Sequence, residues 1–310
     1  MIWGVSAPTN GPSFAGEMRA AGAGMVRIVA TGRHDLGAVL REYRGAGLRT
    51  LLVLARESLE SVSAQDWVEF YARNYGELVD AVQVGNEPDA HGGASSWQVT
   101  PSYIDTLIVR AQAFRERNPA CKVIGPGLIS GRVDAPLWLS QLRTTRLLDA
   151  VAWHCYWERP EGLGDVVRSF QAAAQRAIPV YVTEFNLADD AGPRTEFVRA
   201  LARTPGIEAA LVYCWQRWSG WPWALMDGAG RPLPLLETFK GLARELDMST
   251  TAELEAKIKL LEQQQSLTVD LMARILSGKW DQGAESAEAL LRAIAPKYGS
   301  FEAVAFPPKA

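Results

Sequence analysis

A chain of 310 residues with 48% hydrophobic and 22% charged residues can bury a large core and has the ordinary make-up of a globular enzyme. A formal net charge of −3 and a pI near 5.8 give it no electrostatic pull toward nucleic acid or an anionic membrane. No apolar run approaches the roughly 20 residues of a transmembrane helix, and Met1-Ile-Trp-Gly-Val-Ser-Ala-Pro lacks the basic stretch and apolar core of a signal peptide.

Up to about residue 246, short apolar runs alternate with amphipathic stretches, the pattern of βα units around a parallel sheet. Strands are expected at 2–7, 25–30, 50–55, 79–85, 122–127, 148–156, 179–184 and 209–215. Eight is the number a closed (β/α)8 barrel needs. An open, doubly wound sheet is the alternative; strict alternation favours the barrel. Helical patterns lie at 67–74 and 103–117, and glycine and proline cut the interval 10–24 down to a short helix. Cys121, Cys155 and Cys214, odd in number and in or beside strand-like runs, read as reduced, buried thiols.

The pattern changes after Asp247. Met248-Ser-Thr-Thr-Ala-Glu-Leu-Glu has the hydroxyls and following glutamates of a helix start. Leu254, Ile258, Leu261, Gln265, Thr268, Met272 and Ile275 then recur at spacings of four and three. This is a heptad seam over 250–277, weakened by two polar residues at its centre and ended by Ser277-Gly278. The expected organisation is a catalytic barrel over 1–247, a coiled-coil-like helix over 248–277, and a short helix (284–295) with an extended tail over 278–310. A helix of this length needs its apolar face covered. A homo-oligomer formed through 250–277 is the favoured cover, and folding back onto the barrel is the alternative.

The residues that carry chemistry stand at strand ends. Gly85-Asn86-Glu87-Pro88 and Val182-Thr183-Glu184-Phe185 each put a glutamate where a strand runs out. A carboxylate is costly inside a packed core but useful at a barrel mouth, where catalytic groups of this fold gather. Because side chains alternate along a strand, Glu87 is expected to share a face with Gln83 and Gly85, and Glu184 with Val180 and Val182. On the same argument His154 and Tyr156 share a face with Ala152, and Trp215 shares one with Leu211 and Tyr213. Strands four and seven face each other across an eight-stranded barrel, so the two carboxylates can converge. A converging pair is what glycoside hydrolysis uses: one group protonates the leaving oxygen and the other attacks or activates water. His34 and His91 have no metal-ligand spacing.

After strand eight, Trp215-Gln-Arg-Trp218-Ser-Gly-Trp221-Pro-Trp223 holds four of the eleven tryptophans. Indole faces stack on the apolar faces of sugar rings, so Trp215, Trp218 and Trp221 are candidate sugar contacts. Trp153 and Trp157, of opposite parity to His154 and Tyr156, read as core or wall.

As a set, Asn-Glu-Pro after strand four, His-x-Tyr after strand six, glutamate ending strand seven and tryptophan ending strand eight resemble the clan A glycoside hydrolases. These are (β/α)8 retaining enzymes that include families 5 and 39, and the resemblance covers residues 1 to about 246. It implies Glu87 as acid/base, Glu184 as nucleophile, Asn86 on the sugar 2-hydroxyl, Tyr156 and Arg27 on the nucleophile, His154 lining the site and Trp215 beneath the sugar. One position departs from family 5: many members have a histidine after strand three, where this chain has Leu54-Ala55-Arg56. The expected protein is thus a retaining hydrolase of β-linked poly- or oligosaccharides, with a carbohydrate substrate and no metal or organic cofactor. Neither nucleic acid nor membrane is expected as a partner. The rival readings are a non-catalytic carbohydrate-binding barrel and an assembly component, of a cell-wall complex or phage particle, docked through its helical tail.

Overall fold

The computed structural model describes residues 1–7, 14–30, 35–54, 64–90, 100–129, 133–216 and 222–247, together with Lys259. The chain divides into two units, Met1–Met248 and Ser249–Ala310. The expected seam helix, the short helix and the extended tail lie outside the described residues, apart from Lys259.

Eight parallel strands close into a barrel: β1 (Ile2–Ala7), β2 (Met25–Ala30), β3 (Arg49–Leu54), β4 (Ala81–Val84), β5 (Lys122–Leu128), β6 (Ala150–His154), β7 (Val180–Phe185) and β8 (Ile207–Val212). Each strand pairs with its sequence neighbours, and β8 closes against β1 in the register Ile2↔Ala209 to Val5↔Val212. Closure excludes the open doubly wound sheet. Around the barrel lie α1 (Ala15–Ala20), α2 (Gly37–Gly45), α3 (Ala64–Tyr75), α4 (Pro101–Ala111), α5 (Ala113–Arg117), α6 (Asp134–Leu139), α7 (Leu163–Ala174), α8 (Thr195–Arg203) and α9 (235–247). The helix expected over 103–117 is two pieces that meet at Gln112. Among the described residues no helix is long and apolar enough to cross a membrane.

Two apolar layers follow from the strand alternation. Met25, Leu51, Ala81, Ile124, Ala150, Ala152, Tyr181, Ala209 and Leu211 point inward and fill the barrel. The alternate residues, among them Val26, Leu52, Val82, Val123, Val151, Val180 and Ala210, point outward into the shell beneath the helices. That shell is sealed by helix faces such as Val166, Val167, Phe170 and Ala174 of α7 and Phe197, Val198 and Leu201 of α8. Removing a single large member of such a core costs about 2–5 kcal/mol. The three cysteines are free and buried, as expected.

The inward set corrects the expected parity of β7. Tyr181 is interior, so Val180 and Val182 face out, opposite to the sequence reading. Strand alternation alone would then send Glu184 outward. It does not, because β7 is irregular. Against β6 the register runs Trp153↔Val182 and then His154↔Glu184; against β8 it runs Ala210↔Val182 and then Val212↔Phe185. Thr183 is the extra residue of a bulge, which re-aims the next side chain. Glu184 thereby turns inward while Phe185 stays in the outer shell, its ring 5.9 Å from that of Trp3.

Candidate active site

Glu87 also reaches the barrel mouth through a break in regularity. β4 ends at Val84, so alternation does not extend to position 87. Two left-handed residues flank Asn86: Gly85 at φ 95° and Glu87 at φ 49°. The first suits glycine, and the second is uncommon for any residue with a Cβ and stores local strain of about 1–3 kcal/mol. The turn is pinned to β5, since Asn86 bridges Gly127 and the Glu87 amide donates to the Gly127 carbonyl at 2.8 Å.

From opposite sides the two glutamates meet a shared set of polar groups. The Arg27 guanidinium, on β2 and inside the barrel, lies 2.6 Å from Glu184 Oε1 and donates to Asn86 Oδ1 at 2.7 Å. Tyr156, just beyond β6, donates its hydroxyl to Glu184 Oε2. His154, at the end of β6, shares a 2.7 Å hydrogen bond between Nδ1 and Glu87 Oε1, and its Nε2 lies 3.6 Å from Glu184 Oε1. Arg27, Asn86, Glu87, His154, Tyr156 and Glu184, all singled out in the sequence, thus form one connected constellation. His154 is 1% exposed, so it links the two glutamates from below the surface rather than lining an open wall.

The carboxylates differ in environment. The Glu184 side chain is 7% exposed and the Glu87 side chain 30%. Burial pushes the Glu184 carboxyl up, but Arg27, His154 and the Tyr156 hydroxyl outweigh it and leave the group below its ordinary value of 4.5. Glu184 is therefore ionised at neutral pH. The Tyr156 phenol is held well above its ordinary value by burial first and by the Glu184 charge second, so it stays a hydrogen-bond donor.

One group the sequence reading left without a role also belongs here. Burial and then the Glu184 charge raise the Tyr213 phenol, and Glu87 adds to the shift, so this hydroxyl sits in the field of both carboxylates. Its shared face with Leu211 was the available signal.

Trp215 needs a correction. It is fully buried within the outer shell, its ring 6.4 Å from Phe14. A ring without an accessible face offers no stacking surface. Trp218 and Trp221 lie outside the described residues. Trp157, expected as core or wall, is 77% exposed, whereas Trp153 is buried as expected. Tyr156-Trp157-Glu158 has left the strand, so parity no longer dictates its facing.

Glu87, His154 and Glu184 offer ligand atoms within 4.8 Å of one another, the donor types of a cation site. The surroundings oppose a dication: a guanidinium already sits against one Glu184 oxygen and a hydroxyl against the other. Such a clamp suits a carboxylate that works as an anion.

The imidazole has little room to move. A Cβ on Gly127 would lie 2.3 Å from His154 Nε2 and 2.7 Å from Gln83 Nε2. Gly127→Ala is therefore expected to displace His154 from Glu87, to cost about 1–3 kcal/mol in denaturant unfolding, and to lower kcat. Unchanged stability and turnover would show that the ring gives way freely.

Residues 58–203, which span β4 to β7 and both glutamates, match the family described as Glycosyl hydrolase catalytic core. The protein is a glycoside hydrolase. Among solved structures, a glucosidase from Croceicoccus marinus is 14% identical with a TM-score of 0.57, the match covering 78% of this chain and 67% of that one. A family 128 (subgroup II) endo-β-1,3-glucanase from Pseudomonas viridiflava is 16% identical with a TM-score of 0.56, covering 76% of this chain and 95% of that one. A β-glucuronidase from Bacteroides uniformis is 13% identical with a TM-score of 0.55, covering 77% of this chain and 34% of that one. At such identities these likenesses speak for the barrel fold. No curated protein matches the chain by sequence.

Proposed function

We propose that the hydrolase cleaves β-linked glycosidic bonds of a poly- or oligosaccharide with retention of anomeric configuration, in the manner of clan A enzymes such as families 5 and 39. The observation that carries this reading is the closeness of the carboxylates: ligand oxygens of Glu87 and Glu184 lie within 4.8 Å of each other. Retaining enzymes hold their two carboxyl groups about 5–5.5 Å apart, whereas inverting ones leave roughly 6.5–9.5 Å for a water. The β-linkage rests on the structural neighbours, which include a β-1,3-glucanase and a β-glucuronidase.

In the first step Glu184, ionised and clamped, attacks the anomeric carbon while Glu87 gives a proton to the departing oxygen. In the second, Glu87 takes a proton from water, which displaces Glu184 from the sugar. Arg27 and Tyr156 hold the nucleophile in place. Asn86, fixed by Arg27, presents its amide to the sugar 2-hydroxyl.

Proton NMR of the first product tests the reading. A β-anomer that appears before mutarotation is expected. An α-anomer released first would assign inversion and remove Glu184 as nucleophile.

A further inference from the structure

The loops after β6 and β7 enclose a cleft of their own, which shares Tyr156 with the constellation. A space of about 500 Å³ opens between the segment after β6 and the segment after β7, lined by Tyr156, Trp157, Arg159, Asp189 and Pro193 among others. Both segments follow the carboxyl ends of barrel strands, the face on which Glu184 stands. Tyr156 joins the cleft to the nucleophile: its hydroxyl binds Glu184, and its ring lies 5.7 Å from that of Trp157.

The segment that carries Trp157 is braced. Arg194 donates to the Tyr156 carbonyl at 3.1 Å and to the Glu158 carbonyl at 2.6 Å, and its guanidinium stacks 3.9 Å over the Phe197 ring. Backbone carbonyls on both sides of Trp157 are thus tied to the start of α8. An indole that is 77% exposed on a fixed backbone loses little entropy when a flat ligand covers it. Arg159 and Asp189, both exposed, supply donors and acceptors suited to hydroxyl groups around such a ligand.

We infer that this cleft is a glycan subsite, in which Trp157 stacks on a sugar one or more units away from the bond that is cut. The inference rests on the proposed β-glycanase activity and deepens it: the substrate is a chain that extends past the cleavage point along Tyr156 and Trp157. Trp157 is a binding residue for that extension, and Arg194 is a positioning residue that acts through the backbone.

The test compares substrates of increasing length on the full chain. Wild type is first assayed on a panel of β-linked oligosaccharides and on an activated β-monoglycosyl fluoride, which has neither a second sugar nor an aromatic aglycone to stack on Trp157; this fluoride serves as the monoglycoside throughout. Failure to cleave any of them would overturn the proposed activity itself. Given turnover, Trp157→Ala is expected to lower kcat/KM on the longer oligosaccharides about tenfold, mainly through KM, and to leave the monoglycosyl fluoride, which has nothing to stack there, unchanged. Trp157→Phe should restore part of the loss. Circular dichroism melting of each variant, with no shift expected for so exposed a side chain, excludes misfolding as the cause. A loss equal on short and long substrates, or no loss on either, would overturn the subsite while leaving the activity standing. Arg194→Met should reproduce the length-dependent loss; loss on the monoglycoside as well would place Arg194 in general stability instead.

Discussion

Replacing Glu184 with glutamine is expected to abolish turnover of every substrate, natural or activated, because on the proposed mechanism its carboxylate forms the first bond to the sugar and, among the described residues, the other carboxylate of the constellation, Glu87, is assigned to proton transfer. Replacing Glu87 is expected to discriminate between substrates. Proton donation contributes about 10²–10⁴-fold where the leaving group is a poor one, so Glu87→Gln should lose that much on oligosaccharides. Aryl glycosides with good leaving groups need little protonation, and on them the first step should be almost intact. Deglycosylation still requires a base, so a covalent intermediate should accumulate on the Glu87 variant and be visible by mass spectrometry as a sugar-sized addition. Azide, which needs no base, should then accelerate release as the β-glycosyl azide. Equal losses of the two variants on activated substrates would exchange or dissolve the roles. Both variants also bear on folding. Glu184→Gln leaves the Arg27 cation, 1% exposed, with a neutral neighbour, so the folded fraction of each must be shown by circular dichroism before activity is compared.

Much of this site was legible because strands announce themselves locally. The run 2–7 was read to the residue, and eight apolar runs in alternation with helices gave the closed barrel. The two glutamates could be picked out because a charged residue at the end of a buried run demands a reason. Their aim was legible only by coincidence. The alternation argument turned both inward, but Glu184 arrives there through the Thr183 bulge, with Tyr181 rather than Val180 and Val182 inside, and Glu87 through the left-handed turn at 85–87. A bulge is set by the register of two neighbouring strands, which no window along one strand contains. Trp215 and Trp157 exchanged expectations for a similar reason. Exposure beyond the last ladder pair depends on which loop folds over which, and neither parity nor composition carries that information.

Replacing Arg27 with methionine keeps length and apolar contact but removes the charge, and is expected to cost about 3–5 kcal/mol at neutral pH, the usual penalty for stranding one partner of a buried ion pair. The pH dependence separates charge from packing. In wild type the Glu184 carboxyl lies below its ordinary value of 4.5, so its ionised form stabilises the fold above that range, and the contribution is lost as acidification carries the pH down through the folded value. Without Arg27 the burial that pushes this carboxyl up is opposed by His154 and Tyr156 alone, and the folded value rises. The variant then gains relative to wild type as pH falls, because protonation removes its stranded charge. Urea unfolding at pH 7 and at pH 4 should therefore show a wide stability gap that narrows in acid; a gap of equal size at both would mean that Arg27 contributes by shape. Activity should shift in the same sense. On the proposed mechanism kcat/KM should depend on pH as a bell, with an acid limb that reports ionisation of Glu184 and moves to higher pH in the variant. Asn86 supplies a further check, since Arg27 donates to its side-chain oxygen at 2.7 Å. With that bond gone, 2-deoxy substrates should be disfavoured less by the variant than by wild type. A 2-hydroxyl preference that stays intact would show that Asn86 holds its position without Arg27.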